Sequence, residues 1–118
     1  MAARLLLVDD ERVLADLLKR YLERLGYEVD VFASAEEAMP LFQADPRRYA
    51  LVLTDLTLPG MNGEEMIEQM LASNPSLKAI VSSGYPRHPR SKQVAFLQKP
   101  FVPKMLAELI EKTLNRPF

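Results

Sequence analysis

Short apolar runs and longer helical stripes alternate along this chain. The runs are Leu5–Val8, Glu28–Phe32, Ala50–Thr54, Ala79–Ser82 and Val94–Leu97. Runs this short, bounded by polar or turn residues, read as strands. Their largely uninterrupted apolar character predicts burial on both faces, as in a parallel sheet. Glu28–Phe32 alternates instead, which suits an edge strand. Between the runs, Val13, Leu14, Leu17, Leu18, Tyr21, Leu22 and Leu25 fall on one stripe of 3.6-residue period. Gly26 supplies a C-terminal cap. Ser34 and Glu37 form a capping box ahead of Ala38, Met39 and Phe42. Met66, Ile67, Met70 and Leu71 mark a third helix that Asn74-Pro75 ends. Pro103 suits a first helical turn, and Leu106, Leu109, Ile110 and Leu114 follow it.

Strands alternating with helices predict an α/β fold, a doubly wound parallel sheet with helices on both faces. No repeat, low-complexity tract or linker divides the chain, so residues 1–118 read as a single domain. In such a fold the site lies beyond the carboxyl ends of the strands.

Composition narrows the function classes. The 118 residues are 48% apolar and 26% charged, with a formal net charge of −1. That suits a soluble globular domain and argues against bulk electrostatic binding to nucleic acid or an anionic membrane. With no cysteine there is no disulfide, Cys zinc site or Cys nucleophile. The early apolar run Leu5–Val8 is cut off by Asp9 and Asp10, too short for a signal peptide or a membrane span.

The strand ends carry the candidate chemistry. Strand one runs into Asp9-Asp10, strand three into Asp55, strand four into Ser82-Ser83-Gly84 and strand five into Lys99-Pro100. Three carboxylates on one sheet edge repel one another. A hard divalent cation such as Mg²⁺, which prefers oxygen ligands, resolves that repulsion. Lys99 adds a further positive charge, and the Ser83 hydroxyl can donate to a phosphoryl oxygen. The set suits phosphoryl transfer to a carboxylate. A lone Asp after a strand is usually a turn residue or a helix cap. The force of the pattern is that all four groups stand in order at strand ends.

The segments Leu7–Glu11, Leu53–Gly63, Ser82–Tyr85 and Phe96–Phe101 together resemble the receiver domain of bacterial two-component response regulators. The resemblance runs from Leu5 to Leu114. It implies a chemotaxis-regulator-like, flavodoxin-like (β/α)5 fold with strand order 2-1-3-4-5. It implies that Asp55 is the phosphoacceptor, charged from the phosphohistidine of a histidine kinase or phosphotransfer protein. Asp9 and Asp10 become the acidic pair that holds Mg²⁺, Asp10 the more direct ligand. Asp55 and the backbone carbonyl of Thr57 complete the protein's share of the metal shell. Ser83 becomes the switch hydroxyl, ahead of its neighbour Ser82. Lys99 becomes the phosphoryl contact, with a cis bond to Pro100. Phe96 takes the aromatic switch position. The side chains of Thr57 and Tyr85 flank the access of water. Such a protein is not an enzyme in the ordinary sense; it assists its own phosphorylation and dephosphorylation. The implied setting is a cytoplasmic phosphorelay with a downstream protein, without direct nucleic-acid or membrane contact, and open to weak homodimerisation.

One stretch departs from the pattern. Only sixteen positions separate Ser83 from Lys99. Pro86 and Pro89 forbid regular helix through most of them. The helix expected between strands four and five is therefore shortened or replaced by a loop. Arg87, Arg90 and Lys92 make this stretch basic, which suits a solvated loop better than a contact surface. His88, the single histidine, reads as a loop residue rather than a relay group.

Two other readings compete. A phosphorylation-independent interaction module would not need Asp9, Asp10, Asp55, Ser83 and Lys99 all present. A haloacid-dehalogenase-like Mg²⁺ phosphatase wants a second Asp two positions after the nucleophile, where this chain has Thr57. No DNA-binding or catalytic output domain is expected within these residues. They read equally as a stand-alone receiver or as part of a longer regulator or hybrid kinase.

Overall fold

The computed structural model describes residues 3–84 and 93–115. Five strands form one parallel sheet: β1 (Arg4–Val8), β2 (Glu28–Phe32), β3 (Leu51–Asp55), β4 (Lys78–Ser83) and β5 (Val94–Gln98). Their order is β2-β1-β3-β4-β5. Four helices accompany them among the described residues: α1 (Arg12–Arg24), α2 (Ala35–Ala44), α3 (Gly63–Ser73) and α4 (Pro103–Leu114). The alternating strand Glu28–Phe32 takes an edge, as its pattern predicts. No helix stands between β4 and β5 among the described residues, which fits the shortening inferred from the sequence. Residues 85–92, which carry Tyr85, His88 and the basic positions, lie outside the described set.

The sheet separates two apolar layers. On one side Leu5, Leu7, Leu53 and Ile80 pack against Leu18 and Leu22 of α1 and Leu106 and Ile110 of α4. On the other, Leu6, Val8 and Val52 pack against Phe42 of α2 and Met66 and Met70 of α3. Burial on both faces explains why β1 and β3 are near-continuous apolar runs.

Local chemistry sets the helix ends. The Ser34 side chain accepts the Glu37 amide at 3.2 Å. The Glu37 carboxylate reaches back to the Ala33 amide at 3.1 Å, one residue short of the usual reciprocal partner. After α1, Gly26 adopts φ +101°. Its amide donates to the Glu23 carbonyl at 3.0 Å, and the Tyr27 amide to the Leu22 carbonyl at 3.2 Å. These are the paired bonds of a glycine-terminated helix.

The stripe on α1 needs correction. Ala15, Leu18 and Leu22 are its buried residues, with Leu14 and Tyr21 packed partly against the core. Val13 and Leu17 are 85% and 54% exposed, and Leu25 is exposed too. Seven apolar residues span more arc than one sheet can cover, so part of the stripe faces away.

Register brings the site together. Val8 stands opposite Thr54, and Asp55 opposite Ser82. Asp9, one step beyond Val8, therefore emerges beside Asp55. The Lys99 amide donates to the Ser83 carbonyl at 2.8 Å, which carries the end of β5 to the same edge. Because α1 and α3 cover opposite faces, the connections after β1 and β3 diverge and leave a crevice between them.

Candidate functional site

Asp55 ends β3 with both carboxylate oxygens engaged. Its Oδ2 lies 3.1 Å from Lys99 Nζ, and its Oδ1 accepts the Thr57 amide at 3.3 Å. Its carbonyl accepts the Thr54 hydroxyl at 2.9 Å. The same carbonyl lies against Gly63, where any Cβ would collide with it. Gly63 is therefore more than a turn residue: its bare Cα lets α3 begin hard against the end of β3. Asn62 caps that helix by accepting the Glu65 amide at 2.9 Å.

Asp9 is only 4% exposed. Its Oδ1 accepts the Glu11 amide at 2.8 Å. Burial, the largest influence, pushes the Asp9 carboxyl above the usual carboxylate range; the Glu11 amide and Lys99 pull it down, and the charges of Asp55 and Glu11 push it up. Lys99 Nζ reaches three carboxylates: Asp55 at 3.1 Å, Glu11 at 3.6 Å and Asp9 at 3.9 Å. Desolvation is the largest single influence on Lys99 and works to lower its pKa. Asp55, Asp9 and Glu11 together outweigh it and raise the value. The ammonium is thus held charged in a crowded acidic setting.

The structure does not gather the predicted acidic pair whole. Oxygens of Asp9, Glu11 and Asp55 lie within 4.8 Å of one another. Asp10 is exposed and stands outside that group. Sequence reasoning missed Glu11, although its place directly after Asp9-Asp10 was a usable signal. Three carboxylate oxygens this close suit a small hard cation that keeps several waters.

The two serines diverge. Ser82, the register partner of Asp55, lines a small hollow beneath it with Leu7, Leu53, Ile80 and Phe101. Ser83 is 4% exposed and, by strand alternation, lies on the face of Val81. Phe96, half-buried, pairs with Val81 across the strands and shares that face. Lys99–Pro100 is cis, as the resemblance implies. Tyr85 lies outside the described residues.

Comparison with known proteins agrees with this architecture. The family model "Response regulator receiver domain" matches residues 5–111. The response regulator receiver protein CpdR of Brucella abortus is 31% identical over 117 residues, which cover 94% of this chain and 96% of CpdR. The C4-dicarboxylate transport transcriptional regulatory protein DctD of Rhizobium meliloti is 33% identical over 113 residues, 91% of this chain. The chain spans about a quarter of DctD, since the matched region is 24% of that protein. The solved response regulator TrrA of Thermotoga maritima, in complex with Mg²⁺ and BeF, superposes with a TM-score of 0.80. It is 29% identical, over 94% of this chain and 98% of that one. Receiver domains are phosphoacceptors that bind Mg²⁺ in an acidic pocket and interact with histidine kinases or phosphotransfer proteins. Matched across nearly its whole length and folded in the same strand order, this chain belongs to the receiver domains of two-component response regulators.

Proposed function

We propose that this chain is a phosphorylation-dependent switch whose phosphoacceptor is Asp55. One observation carries the reading: a carboxylate at the carboxyl end of β3 lies 3.1 Å from an ammonium and within 4.8 Å of two further carboxylates. Asp9, Asp55, Glu11 or Asp10, and the Thr57 backbone carbonyl would hold Mg²⁺. The ion would supply charge neutralisation at the phosphoryl oxygens. That the similar TrrA is solved with Mg²⁺ and BeF supports this assignment.

In the transfer, an Asp55 carboxylate oxygen attacks phosphorus and forms an acyl phosphate. The phosphorus–nitrogen bond of the donor phosphohistidine breaks, and the imidazole leaves with its electron pair and takes up a proton. Lys99 stabilises charge on the transferring oxygens. The product, an acyl phosphate of about −1.5 to −2 charge, replaces a carboxylate of a single charge and brings strong acceptor oxygens. Ser83 then turns toward these oxygens, and the Phe96 ring on the same face follows. The altered surface near β4 and β5 is what a downstream partner reads, a population shift driven by a local charge.

Intact mass spectrometry after incubation with Mg²⁺ and acetyl phosphate tests the reading. One added phosphoryl group, dependent on Mg²⁺ and absent in Asp55→Asn, is the expected result. Beryllofluoride binding covers a short-lived adduct. Neither adduct nor beryllofluoride response would leave a phosphorylation-independent interaction module as the better account.

A further inference from the structure

We propose that Glu36 is a positioning residue, clamping from α2 the loop between β3 and α3 that presents the Thr57 carbonyl to the metal. The proposal rests on the Mg²⁺-dependent reading of the site given above. The clamp is a single contact across 25 positions of sequence: Glu36 Oε2 accepts the Met61 amide at 3.0 Å. A second observation shows how closely the carboxylate approaches. Gly60 has φ +75°, and a Cβ there would lie 2.7 Å from Glu36 Oε2. The loop thus bends into a conformation that favours glycine and, at the same position, lies so close to the carboxylate that an added Cβ would displace it.

The rest of the loop is held at its ends. The Thr57 amide donates to Asp55 Oδ1, and the Gly63 amide to the Leu56 carbonyl at 2.9 Å. Leu58 is buried in the layer formed with α2 and α3. Between them, the Met61 bond ties the loop's polar backbone to a neighbouring element. The Met61 amide is the largest of the influences that hold the Glu36 carboxyl below the usual carboxylate range, so the acceptor stays charged at neutral pH. A backbone carbonyl ligates a cation only as well as its loop holds it, because ordering a free loop costs entropy at the moment of binding.

The test titrates Mg²⁺ by calorimetry into wild type, Glu36→Ala and Glu36→Gln, then follows acetyl phosphate labelling against Mg²⁺ concentration. Glu36→Ala is expected to weaken Mg²⁺ binding about fivefold, the scale of one charge-assisted hydrogen bond open to water. Its labelling rate at saturating Mg²⁺ should fall by less than about twofold, because the clamp orders the loop and does not touch the phosphoryl group. Glu36→Gln keeps an acceptor oxygen and should stay within about twofold of wild type. Faster exchange of the Met61 amide in Glu36→Ala, read by NMR without Mg²⁺, locates the effect in the loop. Equal Mg²⁺ affinity in wild type and Glu36→Ala overturns the clamp alone. So does a Glu36→Gln variant as weak as Glu36→Ala, since long-range charge would then explain the loss. A wild type that binds no Mg²⁺ removes the reading of the site itself, and the clamp's role with it.

Discussion

Asp9 sets stability against chemistry at a single residue. Its carboxylate is buried among Asp55, Glu11 and Lys99, and burial is the main reason its pKa is raised. A folded-state pKa above the unfolded value gives a contribution that is fully present below the unfolded pKa and lost as pH rises through the folded one. At neutral pH the ionised Asp9 therefore weakens the fold in the absence of a cation. Asp9→Asn keeps an oxygen to accept the Glu11 amide and removes the charge. The expected outcome is a gain of about 1 kcal/mol, or about 4 °C in melting temperature at pH 7 without Mg²⁺. The gap should narrow as the pH falls through the raised folded-state pKa, where the wild-type carboxyl also becomes neutral. The same variant should lose the Mg²⁺-induced rise in melting temperature. Thermal unfolding with and without Mg²⁺ checks both; a destabilised Asp9→Asn would contradict the burial argument.

At the scale of elements, α1 and α4 both start at the site. α1 begins directly after Glu11, and α4 begins four residues after Lys99. Their outward faces carry apolar side chains that the core does not use: Val13 and Leu17 on α1, Val102 and Met105 at the start of α4. If Asp55 is the phosphoacceptor proposed above, apolar side chains exposed beside it suit contact with a phosphohistidine donor protein. The double variant Val13→Ser/Leu17→Ser should therefore retain its fold and its labelling by acetyl phosphate. Transfer from a phosphohistidine protein should slow by about tenfold, since the small donor needs no docking and the protein donor does. Parallel rate measurements with the two donors decide it; equal slowing would place the effect at Asp55 rather than at the contact. The sequence places Val13 and Leu17 on the same stripe as the buried Leu18 and Leu22, because 3.6-residue periodicity counts apolar positions without knowing how wide the partner surface is.

Across the whole molecule, the two ends of the sheet differ in kind. The carboxyl end holds the acidic cluster and Lys99. The opposite end holds a structural network: the Tyr49 hydroxyl donates to Asp30 at 2.6 Å, and Arg4 reaches Asp30 at 3.3 Å and Glu28 at 3.2 Å. Burial and then the Asp30 hydrogen bond push the Tyr49 hydroxyl up to about 12. This pins β1, β2 and the start of β3 away from the chemistry. Beryllofluoride with Mg²⁺ should alter amide exchange at Ser82–Gly84 and along β5, and leave residues 28–30 unchanged. A uniform change, or none, would deny a localised switch. Asp9, Asp55 and Lys99 were legible in the sequence because each stands at the end of a predicted strand, and strand order follows from alternation plus family resemblance. The bare Cα required at Gly63 and the Glu36–Met61 contact were not, and only the fold shows that Glu11, adjacent to Asp9-Asp10 in sequence, joins the cluster in place of Asp10. Periodicity and turn chemistry act between neighbours along the chain, so they determine elements and strand ends. Which side chains meet across 25 positions, and which face of α1 is covered, depends on how finished elements pack, and only the tertiary structure decides that.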